Sequence, residues 1–161
     1  MPLSKEARLY LIDGLTSEQY GTEIANAIDS NHYSPPVITG QAEVNLTPFQ
    51  ISDLIATPIM LVPAIPNKII QVTIVDFQYT YVTTPYTLAS SDLTLAYENS
   101  GGFLNIPAGG ILDQTVDTEY AEALPGYQLH RNQGILLTGF NSDPTGGDGL
   151  LKVIVAYNIV G

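Results

Sequence analysis

The residues of this sequence best suited to chemistry are its loop acids. Asp113, Asp117 and Glu119 stand close together along the chain, as do Asp143 and Asp148. Two carboxylates flanking a glycosidic bond can act as acid and base, provided the fold holds them at a defined separation. Spacing within loops does not set that separation, and acids are also the residues that keep a surface soluble. They are therefore expected to be solvated. His32 and His130 lie far apart, without the HxH or HExxH spacing that would put two imidazoles on one metal, so neither a metal site nor a serine triad is supported. The run "NSDPTGGDG" (141–149) offers Asn141, Asp143, Asp148 and several glycines, as a calcium loop does. It lacks the alternating ligands and closing Glu of an EF-hand and reads as a long hairpin loop. Neither "SGG" at 100–102 nor "AGG" at 108–110 is followed by a helix and a Lys, so neither cradles phosphate. No catalytic residue, cofactor or metal is assigned, and an enzyme is not expected.

The most unusual composition is "YTYVTTPYT", from Tyr79 to Thr87. Tyrosines interleaved with threonines supply apolar area and keep a polar tip, which suits a contact between subunits or a sugar-binding patch. Cross-strand aromatic pairing inside the fold is the third possibility. Tyr79, Tyr81 and Tyr86 are the candidate interface residues here.

Charge narrows the partners. The 161 residues carry 16 Asp and Glu against 5 Lys and Arg, a formal net charge of -11, and only Lys68, Arg131 and Lys152 are basic after residue 30. Without a basic cluster there is nothing to neutralise phosphates, so nucleic acid and anionic membrane are poor partners. There is no cysteine, and stability must come from packing or assembly. No apolar run approaches the roughly 18 residues of a spanning helix. The amino terminus "MPLSKEARLYLIDG" carries acids inside its apolar stretch, unlike a signal peptide, so synthesis in the cytoplasm is expected. With 45% hydrophobic and 13% charged residues, few charges are available to cover a monomer, and some apolar surface is expected to be shared between copies.

The elements that must position these residues divide into two parts. The first thirty residues read as helical: Ser4 can cap "KEARLYLID", which stops at Gly14, and "LTSEQY" forms a capping box from Thr16 and Gln19. The second helix places Tyr20, Ile24 and Ile28 on one stripe, a face that needs a partner. Pro35-Pro36 then forces extended backbone. Residues 30–36 read as a linker between a helical arm (1–34) and a β domain (35–161). From Val37 on, β-branched and aromatic residues dominate and turn residues recur about every ten positions, as in an antiparallel β-sandwich or barrel. Strands are predicted at "AEVNL", "TPIMLV", "NKIIQVTIVDFQYTY", "DLTLAY", "GFLNIP", "QGILLTGF" and "GLLKVIVAYNIV", with one helical turn capped by Thr47 ahead of Pro48. "VDTEYAEALP" is ambiguous and could be a helical turn. Within the third strand Ile70, Val72 and Ile74 share one parity and Val75, Phe77, Tyr79 and Tyr81 the other, which predicts a β-bulge or sharp bend at Ile74–Val75.

The segment "ISDLIATPIMLVPAIPNKIIQVTIVDFQYTYVTTPYTLASSDLTLAYENSGG", with "GGILDQTVDTEY" and the closing "GDGLLKVIVAYNIV", resembles a family of tailed-bacteriophage structural proteins. The resemblance covers residues 51–161. It implies a jelly-roll-like β-sandwich carried on the virion as a capsid decoration (cement) or head-fibre component, docked on the major capsid protein or another virion protein. It also implies a homo-oligomer, with a trimer as the expected number. It brings no catalytic residues. A virion-borne receptor- or glycan-binding module is the alternative on the same scaffold, and the arm is expected to make the decisive attachment to the particle.

Overall fold

The computed structural model describes residues 38–124 and 130–161. The expected arm, its stripe of Tyr20, Ile24 and Ile28, and the Pro35-Pro36 linker lie outside the described residues. The described chain is mainly β. Its elements are β1 (Ile38–Leu46), α1 (Pro48–Ile51), β2 (Ile59–Val62), β3 (Ile69–Thr80), β4 (Asp92–Tyr97), β5 (Gly101–Pro107), β6 (Thr118–Ala123), β7 (Ile135–Phe140) and β8 (Leu150–Val160).

The strands form two antiparallel sheets, in the orders β1-β8-β3-β6 and β2-β7-β4-β5. Pairing is nested: β1 with β8, β2 with β7, β3 with β6 and β4 with β5. The first four strands thus pair with the last four in reverse order, and β3–β8 and β4–β7 contacts complete the sheets. Alternation sets which side chains go in. Val75, Phe77 and Tyr79 of β3 oppose Val155, Val153 and Leu151 of β8, and all six are buried. In the other sheet Leu93, Leu95 and Tyr97 of β4 join Ile135 and Leu137 of β7. These residues belong to one apolar cluster, and the Tyr97 hydroxyl bridges the sheets by donating to the Ile70 carbonyl at 3.2 Å.

The expected irregularity in β3 is present, one residue early. Register against β8 shifts between Val72 and Ile74, making Thr73 the extra residue. Ile70 and Val72 are buried before it and Val75 after it, while Ile74 is 46% exposed. Ile74 therefore does not share the buried face of Ile70 and Val72. The Thr73 carbonyl accepts from the Leu124 amide at 2.8 Å and its hydroxyl donates to the Ala156 carbonyl at 3.1 Å, so the bulge has its own partners.

α1 is the expected single turn. Thr47 caps it by accepting from the Gln50 amide while the Gln50 side chain accepts from the Thr47 amide, and Pro48 occupies the first turn. Two other expectations are corrected. "VDTEYAEALP" contains a strand, β6, at the edge of its sheet. Its inward positions, Thr118, Tyr120 and Glu122, are not a core set, so no two-residue hydrophobic period marks it. The run 141–149 is not a hairpin loop, because β7 and β8 belong to different sheets and it crosses between them. Sheet edges are guarded against further pairing. β6 carries Glu119 and Glu122, β1 carries Glu43, β2 is short with a register break, and β5 has a register break and ends at Pro107.

Candidate functional site

Register fixes where the loops go. Leu46, Leu151, Tyr79 and Thr118 align across the first sheet, so β1 and β3 end where β6 and β8 begin. In the second sheet Phe140, Asp92 and Pro107 align likewise. The connections 47–58, 81–91, 108–117 and 141–149 therefore share one end of the β domain. Connections 63–68 and 98–100 lie at the other, with Leu124, residues 130–134, Ile38 and the carboxy terminus.

At the four-loop end the two segments singled out by composition meet. Thr87 and Thr145 exchange backbone hydrogen bonds, with Thr87 donating at 2.7 Å and Thr145 at 3.1 Å. Tyr79 and Tyr86 turn inward, 2% and 3% exposed, with rings edge to face at 6.3 Å and 61°. The Tyr86 hydroxyl donates to the Gly149 carbonyl at 2.9 Å. Of the three tyrosines only Tyr81 keeps surface, and its hydroxyl donates to the Thr83 carbonyl at 2.5 Å. Tyr79 and Tyr86 are thus an aromatic pair of the chain's own core, leaving a subunit contact or sugar site here without two of its rings. Burial raises the pKa of both hydroxyls, and neighbouring acids, Asp148 foremost, add to the rise at Tyr79.

The loop acids are ties. Asp148 accepts from the amides of Thr83 at 3.0 Å and Thr84 at 2.8 Å and from the Thr83 hydroxyl. Asp143 accepts from the Ile55 amide at 3.0 Å, Asp117 from the Tyr81 amide at 2.9 Å and Asp113 from the Gly110 amide at 2.7 Å. Each carboxylate fastens its loop to backbone, three of them across long sequence separations. Hydrogen bonds from Gln114 and then Gly110 hold Asp113 below the ordinary carboxylate range, and those from the Thr83 side chain and the Thr83 and Thr84 amides do the same for Asp148.

A lowered native pKa gives a signed expectation. Stabilisation from Asp148 is fully present above the unfolded aspartate value, near 4, and is lost as pH falls through the lower native value. Asp148→Asn should melt below the wild type at neutral pH, with the gap shrinking as pH falls below the ordinary aspartate value, near 4. Thermal melts across that range measure it, and a gap that does not change with pH would contradict the tie.

His130 sits at the opposite end, its ring 4.9 Å from Tyr97 and its Nδ1 3.3 Å from the Ser100 hydroxyl. It cannot serve the four-loop carboxylates as a proton partner. Lys68 is bound to the Gly161 carbonyl and Arg131 to the Asn67 carbonyl, also at that end. Lys152 pairs with Glu43 across the first sheet's outer face at 3.9 Å. Beside that pair Asn45, Gln78, Thr80 and Leu150 line a shallow groove of about 340 Å³. Among the described residues no cluster of His, Cys, Asp or Glu is arranged to hold a metal, and no helix is long and apolar enough to cross a membrane.

Six exposed apolar side chains surround the four-loop end: Phe49, Ile55, Val82, Val116, Phe140 and Leu150, with Phe49 79% and Val116 62% exposed. Sequence reasoning passed over them. Single apolar residues beside turn residues are common on surfaces, and only the topology gathers these at one end.

No family model matches the chain, and no curated protein matches it. Several solved chains are similar, among them two at low identity. A chain described as "Cyanophage Pam1 capsid asymmetric unit" is 17% identical over 78% of this chain and 91% of its own, with a TM-score of 0.46. Another, from "Acidic stable capsid structure of Helicobacter pylori bacteriophage KHP30", is 12% identical over 76% and 91%, with a TM-score of 0.44.

Proposed function

We propose that this chain is a non-enzymatic structural protein of a bacteriophage virion, a capsid decoration (cement) or head-fibre protein that binds the assembled particle. The observation that carries this is the nested strand order. β1-β8-β3-β6 against β2-β7-β4-β5 is the wiring of a jelly-roll sandwich, an architecture found in viral capsid domains and elsewhere. The segments that resemble tailed-phage structural proteins fall on the last residue of α1, on β2, β3 and β4, on the first residues of β5 and of β6, and on β8 of that roll. A fold does not fix a function, so the employment of the loop carboxylates as ties is the second support: groups that could do chemistry are spent on holding loops.

The same proposal includes a helical arm over residues 1–34, with Tyr20, Ile24 and Ile28 as its contact stripe, and a β domain over 35–161. It also includes a homotrimer attached to the major capsid protein or another virion protein. Purified full-length protein should co-sediment with phage heads assembled without it and not with host cells. Sedimentation with host cells and not with heads would replace this proposal by a receptor- or glycan-binding one.

A further inference from the structure

The four loops at one end hold Asp53, Asp113, Asp117, Asp143 and Asp148 and no Lys or Arg. The same end carries the exposed apolar side chains of Phe49, Val82, Val116 and Leu150. Ladder and loop ties make Leu150, Val82 and Val116 neighbours in the fold. Leu150 opposes Thr80, two residues before Val82, and the Tyr81 amide between them is held by Asp117, which follows Val116. Phe49 belongs to α1, which packs on β1 and β8. Exposed apolar residues scattered singly need no explanation, but apolar residues gathered at one end and set among like charges mark an interaction surface.

From this we infer that the four-loop end is the docking surface for a protein whose contacting face is apolar and flanked by lysine or arginine. Sign selects the occupant. Apposing two copies through this end would set five carboxylates against five, with no cation in the loops to relieve them, and like-charge juxtaposition is strongly unfavourable. Anionic lipid and nucleic acid are disfavoured for the same reason. A basic protein face is attracted to the acids, while Phe49 and Val116 supply the area that excludes water. Four of the five acids are already fixed to backbone amides, and Asp53 accepts from the Thr57 hydroxyl at 2.6 Å, so their charges stand in place before the partner arrives and little order is lost on binding.

This surface deepens the virion proposal and rests on it. The test uses full-length protein and particles assembled without it. Three forms are compared: wild type, Phe49→Ser/Val116→Ser, and Phe49→Leu, which keeps the apolar area. Both positions are mostly exposed, so circular dichroism and melting should match the wild type. The expected result is binding about tenfold or more weaker for the double serine variant, near wild type for Phe49→Leu, and wild-type binding that weakens with added salt. If wild type binds and the double variant binds equally, the docking surface is wrong while the virion proposal stands. A double variant that instead changes the oligomeric state in light scattering makes the patch a contact between copies and also overturns it. If wild type binds no particles, the virion proposal fails and takes this surface with it.

Discussion

Gly149→Ala should cost the fold about 1–3 kcal/mol, the usual penalty for forcing an extra methyl into packed space. At this chain length that corresponds to a fall in melting temperature of roughly 2–4 °C for each kcal/mol. A Cβ at Gly149 would stand closer than 3.0 Å to Cε2, Cζ and Oη of Tyr79, and one at Gly147 equally close to three ring atoms of Tyr86. Neither ring can retreat: both are buried, each edge to face with the other, and the Tyr86 hydroxyl is bonded to the carbonyl of Gly149 itself. The loop must therefore lift, which strains the ties of Asp148 to Thr83 and Thr84 and the Thr87–Thr145 pair. Gly146 is the control. Its φ of +74° strains any other residue, but no heavy atom lies within 4 Å of its Cβ position, so Gly146→Ala should cost about 1 kcal/mol from backbone alone. Thermal melts of Gly146→Ala, Gly147→Ala and Gly149→Ala separate the two causes. Equal losses in all three would show that the loop does not press on the tyrosines.

This pair of rings shows what a sequence can and cannot reveal. "YTYVTTPYT" was conspicuous for its aromatics, and "NSDPTGGDG" for its glycines and acids, but each admitted several readings while it stood alone. Their meaning lies in the contact between them, some sixty residues apart in the chain. The glycines are there so that backbone can lie on two aromatic faces, and the acid is there to pin the opposite loop. Long-range pairings of this kind leave no local period. The strands were legible because alternation on a half-buried sheet writes itself into the sequence, and the capped turn at Thr47 because a cap is a local hydrogen bond. β6 was missed where that mechanism fails. At an open edge its inward positions are Thr118, Tyr120 and Glu122, and the Tyr120 hydroxyl simply donates to Glu122 at 2.9 Å. The apolar rim of the four-loop end was illegible for the same reason as the tyrosine contact: its members come from loops that only the nested strand order brings together.

Deleting Thr73 should leave a folded protein, whereas deleting Gln78 from the same strand should abolish cooperative folding. In a uniform strand the two deletions would be equivalent, since removing any one residue turns everything on one side of it to the wrong face. β3 is not uniform. Thr73 is the surplus residue of the bulge, so its removal restores plain alternation, with Val72 inward, Ile74 outward and Val75 inward, and every core position keeps its face. What is lost is the bend, the Leu124 amide's bond to the Thr73 carbonyl and the threonine hydroxyl's bond to Ala156, together about 1–3 kcal/mol. Gln78 lies between Phe77 and Tyr79, which are 0% and 2% exposed. Without it, either Tyr79 turns to solvent and Thr80 enters the core, or Val75 and Phe77 turn out and Asp76 turns in. Emptying one large aromatic site costs about 3–5 kcal/mol, and burying an unpaired carboxylate costs more. Against a total stability of roughly 5–15 kcal/mol, either outcome removes most of the margin. Thermal melts followed by near-ultraviolet circular dichroism read both variants through the tyrosines. A protein lacking Thr73 that is as disordered as one lacking Gln78 would mean that the bulge does not absorb the change of parity.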